Sequence, residues 1–159
     1  AGVSRPFGER WQWSLDASTM TLGSTRESGG VAATPSSGTD TAVSTQAMGY
    51  GLFGRGDVTS LGLQYQTGES SQMLSLGVGT QLPVGERWRF GPRLRLDQRK
   101  LESDRSTSLV YSPALRAEMR GKHLTFEVEG GAEIGSRDLG TSSEDASRYY
   151  FSLGYRYDF

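Results

Sequence analysis

Hydrophobic and polar residues alternate along most of this chain. The clearest example is the C-terminal stretch, where every second residue from Leu153 to Phe159 is apolar or aromatic and the residues between are small or charged. Successive side chains of a β-strand point to opposite faces, so this alternation predicts strands with one apolar and one polar face. We therefore expect an all-β chain.

The same alternation, interrupted by turn residues, predicts about eight strands. Residues 1–9 come before the first strand and are predicted to be a short lead-in. Each strand has ten or so residues, which is about the span that a tilted transmembrane strand needs. The predicted strands cover about residues 10–21, 41–55, 58–67, 72–82, 86–98, 107–119, 124–135 and 146–159.

The connections between these strands differ in length. Residues 22–40, 100–106 and 136–145 are predicted to be long loops, and 56–57, 83–85 and 120–123 tight turns. In an up-and-down barrel, odd-numbered connections lie at one end and even-numbered ones at the other. The sequence therefore predicts long loops at one end, with tight turns and both termini at the other, as in outer-membrane barrels. Residues 68–71 are short for the loop end and fit this arrangement least well.

Two prolines fall inside predicted strands. Pro92 and Pro113 each lack the N–H group that a sheet ladder uses. We expect a β-bulge or a local rim effect at each of them.

Alternation alone does not decide which face points inward. A soluble barrel directs its apolar residues inward, and a membrane barrel directs them outward to lipid. The small Gly and Ser residues of the polar face suit a narrow lumen, and aromatic residues gather near the strand ends as in interfacial belts. Both features favour the outward orientation. The predicted interface aromatics are Trp11, Trp13, Tyr65, Trp88, Phe90, Tyr111 and Tyr149.

Charges on the polar face have complementary signs on nearby strands. An unpaired buried charge costs several kcal/mol, so in a membrane barrel these side chains should pair within the lumen. On a soluble protein the same residues would form a solvated exterior. The predicted lumen ion-pair residues are Arg93, Arg95, Arg116, Glu118, Glu127, Glu129, Glu133, Arg156 and Asp158.

The last strand resembles the C-terminal insertion signal of bacterial outer-membrane β-barrels. That signal has a polar residue, a Gly two positions later, and aromatic or apolar residues at the antepenultimate and last positions. Here these positions hold Ser152, Gly154, Tyr157 and Phe159. The whole chain resembles, as a pattern, the small eight-stranded class that includes the barrel domain of outer-membrane protein A and OmpX. An ordinary C-terminal strand of a soluble β protein remains the alternative.

The resemblance implies a fold, a location and a set of partners. The expected fold is a transmembrane up-and-down antiparallel β-barrel of about eight strands, forming one domain over residues 1–159 with a long external loop at 22–40. The expected location is the outer membrane of a Gram-negative bacterium. The expected partners are outer-membrane lipid and lipopolysaccharide, the barrel assembly machinery during insertion, and a further protein of the cell envelope.

The sequence offers little catalytic or cofactor chemistry. It contains no Cys and a single His, His123, in a predicted turn, so we predict no catalytic residue and no enzymatic activity. No metal-ligand spacing is present, and we predict no metal and no cofactor. The net charge of −1 gives no basis for nucleic-acid binding.

Three functional hypotheses follow. The first is a non-enzymatic structural, anchoring or surface-interaction barrel, because eight strands leave a lumen that side chains just fill. The second is the C-terminal part of a larger outer-membrane pore or exporter. The third is a soluble ligand-binding barrel.

Overall fold

A computed structural model describes residues 1–24, 30, 38–103, 106–139 and 142–158 of the chain. In this part of the chain all regular structure is β, in nine strands. The strands are β1 (Gly2–Phe7), β2 (Trp11–Leu22), β3 (Gly38–Tyr50), β4 (Val58–Thr67), β5 (Ser71–Val84), β6 (Trp88–Leu101), β7 (Thr107–Arg120), β8 (Leu124–Asp138) and β9 (Ser143–Tyr157).

The nine strands form one antiparallel up-and-down sheet, in which each strand pairs with its neighbours in sequence. The prediction of an all-β, antiparallel up-and-down chain is confirmed. The sheet is not closed, because β1 and β9 are its two edges and do not pair with each other. We call the end of the sheet with connections 8–10, 51–57, 85–87 and 121–123 the turn end. The opposite end, with connections 23–37, 68–70, 102–106 and 139–142, is the loop end.

The predicted lead-in at residues 1–9 is wrong. Residues 2–7 form β1, which pairs antiparallel with β2 from Gly2 opposite Asp16 to Phe7 opposite Trp11. The pattern Val3, Arg5, Phe7 is too short and too mixed to stand out as a strand, and only its pairing with β2 makes it one. Because β1 runs toward the turn end, residue 1 lies away from that end, and only β9 finishes there as predicted.

Connection lengths also differ from the prediction. The second predicted strand should reach residue 55, but β3 ends at Tyr50 and residues 51–57 form an extended turn instead of a tight one. The predicted loops 100–106 and 136–145 are shorter in the structure, at 102–106 and 139–142. The reason is that β6, β8 and β9 extend beyond the residues whose apolar alternation predicted them. Apart from the connection after β2, the connections at the two ends of the sheet are now similar in length, so the predicted difference between long loops and tight turns depends on that one connection. Residues 25–29 and 31–37 of that predicted loop lie outside the described residues.

The prolines interrupt pairing without adding a residue. Between β5 and β6, pairing stops at Gly79 opposite Arg93 and resumes at Leu82 opposite Phe90, in the same register. Between β7 and β8 it stops at Tyr111 and resumes at Ala114, again in register. The predicted bulges are therefore absent at Pro92 and Pro113. Each proline leaves a gap in one ladder while it stays paired in the β6–β7 ladder.

The two faces of the sheet differ in both curvature and chemistry. Polar-face residues of β3 through β9 line one common groove, so this is the concave face. Most apolar residues lie on the convex face, whereas Met48, Val58 and Tyr150 line the groove. No hydrophobic side chain is buried in the described residues, so this part of the chain has no apolar core.

Candidate functional site

The convex face carries a continuous band of apolar side chains. Residues directly opposite each other in paired strands share a face, so a row can be followed across the sheet. One such row is Leu15, Thr45, Leu63, Leu76, Leu96, Tyr111 and Ile134. Leu63 and Leu76 are 43% and 46% exposed although they lie in the middle of the sheet. Their outer sides meet no other part of the described chain.

The predicted interface aromatics all lie on this convex face. Trp11 and Trp88 begin their strands at the turn end, and Trp88 stacks on Phe90 with ring centroids 6.0 Å apart. The Trp13 indole Nε1–H donates to Thr45 Oγ1 at 2.6 Å. Tyr65, Tyr111 and Tyr149 lie nearer the loop end, in β4, β7 and β9.

Charged side chains are nearly absent from the convex face. In the described parts of β2–β9 they are limited to positions at the loop end. β1 adds Arg5, which lies opposite Trp13 and inside the apolar band. The loop-end residues are Lys100, Asp138 and Asp145, as the strand registers place them.

The concave face encloses a groove of about 860 Å³. One wall is made of small residues of β4 and β5, where Gly62 and Gly77 have open space at the position that a Cβ would occupy. Arg93 and Arg95 of β6 line the other wall. In this open sheet the side chains therefore do not fill the groove.

An ion pair with a tyrosine crosses the groove between β6, β8 and β9. Arg93 forms a salt bridge with Glu129, and its guanidinium also donates to Tyr150 Oη at 3.2 Å. The Tyr150 hydroxyl in turn donates to Glu129 Oε1 at 3.1 Å. The Tyr150 ring covers Gly131, where even a Cβ would come within 2.7 Å of it. Arg93 thereby connects β6 to β8 and β9, neither of which pairs with β6 in the sheet.

A second charge network lies nearer the turn end. Arg116 is 2.6 Å from Glu127 and 3.6 Å from Glu118. Glu118 also pairs with Arg120, two residues along the same strand. Arg116 thus bridges β7 and β8, and it also lies between two carboxylates that would otherwise repel each other.

The remaining predicted ion-pair residues find local partners. Arg95 pairs with Asp97 at 2.8 Å, and Asp97 also accepts a hydrogen bond from the Ser75 hydroxyl. Glu133 is 3.8 Å from Arg148. At the exposed edge, Arg156 and Asp158 lie 3.2 Å apart.

Sequence reasoning did not select Asp97, Arg120, Arg148 or Tyr150 for these networks. Asp97 and Arg120 each pair with a selected residue two positions away, Arg95 and Glu118, because residues at that spacing share a strand face. That spacing was a usable signal. Tyr150 and Arg148 become partners through the β8–β9 register, which the sequence does not specify.

The residues that resemble the outer-membrane insertion signal lie in and just after the edge strand β9. Ser152 and Gly154 face the groove, opposite Glu129 and Glu127. Tyr157 lies on the convex face, with its ring centroid 6.4 Å from that of His123. Phe159 lies outside the described residues.

The turn at residues 51–57 is organised by one carboxylate. Asp57 is 1% exposed and accepts backbone N–H groups from Leu52, Phe53 and Gly54 at 3.0–3.3 Å. Burial acts to raise the pKa of Asp57, but hydrogen bonds from backbone N–H groups, those of residues 52–54 and of Asp57 itself, together outweigh it and hold this pKa below its ordinary value. Gly51 and Gly56 flank the turn with φ of 67° and 86°, which side chains disfavour.

The described residues contain no helix of the length and apolar character that crosses a membrane. In the same ranges, no three His, Cys, Asp or Glu side chains are grouped so that they could hold a metal ion. Comparisons of the chain with protein-family models, curated proteins and solved structures found no match.

Proposed function

We propose that this chain is an integral protein of a bacterial outer membrane, a transmembrane β-barrel whose convex face contacts lipid. One observation carries the proposal: most apolar side chains lie on the outside of a curved sheet, and no hydrophobic side chain is buried among the described residues. Monomeric soluble proteins rarely expose apolar patches larger than a few hundred Å², so a continuous band of this kind marks a binding or membrane surface.

The height of the band fits a bilayer. On β5 the convex side chains run from Leu74 to Val84, ten residues apart. At about 3.3 Å per residue this is about 33 Å along the strand. A strand tilt of about 40° reduces the height to about 25 Å, which matches the apolar band of outer-membrane barrels.

The polar concave face fits the inside of such a barrel. Its charges are paired across strands, as in the Arg93–Glu129 and Arg116–Glu127 salt bridges. A soluble ligand-binding barrel would place its apolar residues on the concave side, so the distribution of side chains speaks against that hypothesis. The role proposed for such a barrel is non-enzymatic, in anchoring or in interaction at the cell surface.

One observation favours a second candidate, membership in a larger pore or exporter. Both edges of the sheet lack a partner strand in the described part of the chain. Strands outside residues 1–159 would be able to occupy these edges and enlarge the barrel. The size of the closed barrel therefore separates the two candidates.

Spin labels test the orientation of the faces directly. Labels at Leu76 and Leu115 should be accessible to oxygen dissolved in lipid and shielded from a water-soluble nickel chelate. Labels at the neighbouring concave positions Gly77 and Ala114 are the matched controls and should show the reverse. Equal accessibility at neighbouring positions would refute the lipid-facing band. Migration of detergent-extracted protein that changes on boiling would independently support a folded barrel.

A further inference from the structure

The two edge strands differ in how well they could serve at a barrel seam. β9 is a long strand, and its outer edge has no strand beside it within the described ranges. Its convex side chains Phe151, Leu153 and Tyr155 are 72%, 72% and 78% exposed. β1 carries Pro6, which cannot donate to a ladder, and Arg5 on the apolar face. β9 is therefore suited to pairing in lipid, whereas β1 is not.

A bilayer makes an open edge costly. Hydrocarbon provides no hydrogen-bond partner, so an unsatisfied backbone N–H or C=O group there is strongly unfavourable. Both the outer edge of β9 and that of β2 beyond Ala17 lack a partner strand in the described residues. If the proposed membrane function holds, this sheet must close before or during insertion.

Strand direction favours β2 over β1 as the partner of β9. In an up-and-down sheet of nine strands, β1 and β9 run in the same direction, while β2 and β9 run in opposite directions. Antiparallel pairs are slightly more stable per residue than parallel ones, and every other ladder in this sheet is antiparallel. A β2–β9 seam would leave eight strands, an even number as in bacterial outer-membrane barrels. It would require β1 to leave the edge of β2.

We propose that β1 holds the edge of β2 only while the sheet is open, and that β9 of the same chain displaces β1 when the barrel closes. This proposal rests on the membrane function proposed above. Displacement also removes Arg5 from the lipid-facing band, where a charged side chain is poorly solvated.

The existing registers specify where the seam would form. A row that starts at Leu15 of β2 crosses the sheet through directly opposed residues and ends at Ser147 of β9. A tilt of about 35–40° over eight strands corresponds to a shear of about 8 to 10 residues around the barrel. β9 continues from Ser147 for ten residues toward the turn end, to Tyr157, so a shift in that direction is available. A shear of about 8 places Leu15 beside Tyr155, and one of about 10 places Ala17 beside it. All three residues lie on the convex face, so the faces match at the seam.

Competing disulfides test the exchange in lipid vesicles. Leu15 lies opposite Val3 in the open sheet, so V3C/L15C reports β1 on β2. L15C/Y155C and A17C/Y155C report the seam in its two registers, and cross-linking requires Cα atoms within about 7 Å. We expect one of the seam pairs to form an intrachain disulfide in most molecules, with a V3C/L15C yield at least fivefold lower.

Two results would overturn the exchange. One is a V3C/L15C yield in vesicles that equals or exceeds both seam yields. The other is a disulfide-linked dimer formed by Y155C alone, which would assign the β9 edge to a second copy. As a further arm, R5L/P6T makes β1 a better lipid-facing strand, so it should raise the V3C/L15C yield and lower the seam yield. An unchanged ratio would also count against the exchange.

Oxygen accessibility at Leu76, measured in the same vesicles, separates this proposal from the membrane function. If Leu76 contacts lipid while β1 stays on β2, the membrane function stands and the exchange is wrong. If Leu76 does not contact lipid, the membrane function is wrong and the exchange falls with it.

Discussion

An arginine scan along one strand tests the lipid-facing band most sharply. On β5, Val78 lies four residues from Leu74 and six from Val84. At about 3.3 Å per residue and a tilt of about 40°, it is about 10 Å from one side of the band and about 15 Å from the other. In the proposed membrane orientation, Val78 would therefore lie near mid-bilayer and Val84 at the turn-end interface.

The expected cost depends on depth. V78R should lower the free energy of unfolding by about 2–4 kcal/mol, because an arginine near mid-bilayer is poorly solvated. V84R should cost only about 0–1 kcal/mol, since its side chain reaches the interface. In water, arginine at a position as exposed as Val78, at 42%, would cost within about 0.5 kcal/mol. The difference between the two sites therefore distinguishes lipid from water.

Urea unfolding in lipid vesicles, followed by the fluorescence of the three tryptophans, measures these costs. Q81R on the concave face of the same strand is the matched control, and it should leave stability within about 1 kcal/mol because its charge enters a polar groove. If V78R and V84R cost the same within about 0.5 kcal/mol, the lipid-facing assignment is refuted.

Three further predictions concern the ion pair on the concave face, the turn at residues 51–57 and the interface aromatic Trp13. In a double-mutant cycle that removes the charges of Arg93 and Glu129, we expect a coupling of about 1 kcal/mol in urea unfolding, since the pair is only partly shielded from water; zero coupling would contradict its role. Asp57, with its lowered pKa, stabilises the fold above its unfolded pKa of about 3.9, and this contribution is lost as pH falls through the folded pKa. D57N should therefore destabilise the protein at pH 7, with a difference from the parent that shrinks toward pH 3; a difference that is independent of pH would refute the carboxylate's role. Replacing Trp13 with Phe removes its hydrogen bond to Thr45 and should cost about 1 kcal/mol in the same assay. Thr45 to Val should cost less in the W13F background than in the parent, because only the hydrogen bond from Thr45 to the Ser14 carbonyl is then left to lose; equal costs in the two backgrounds would contradict the Trp13–Thr45 hydrogen bond.

Much of the fold was predictable because its signal is local. The strand Val58–Thr67 was predicted with its bounds, since alternation and the flanking turn residues both mark it. β3 was predicted to end five residues too late because Gly51 and Leu52 continue the alternation. The carboxylate of Asp57 instead accepts hydrogen bonds from the backbone N–H groups of Leu52 and Gly54, and the strand ends before them.

Part of the candidate site was predictable in the same way. The polar-face charges were selected by their strand positions, and the structure places all nine in ion pairs. Which of them meet was not predictable. The Arg93–Glu129–Tyr150 contact joins residues separated by as much as 57 positions, and it depends on three registers at once.

The sequence by itself determined that this chain forms strands and which side chains share a face, because a strand repeats every two residues and its two faces can be read along the chain. Only the tertiary structure decided that residues 2–7 become a ninth strand, that the sheet stays open, and that the polar face is the concave one. These outcomes depend on which edges pair and how the sheet curves. Edge pairing uses backbone groups that are the same in nearly every residue, so side-chain patterns leave it open.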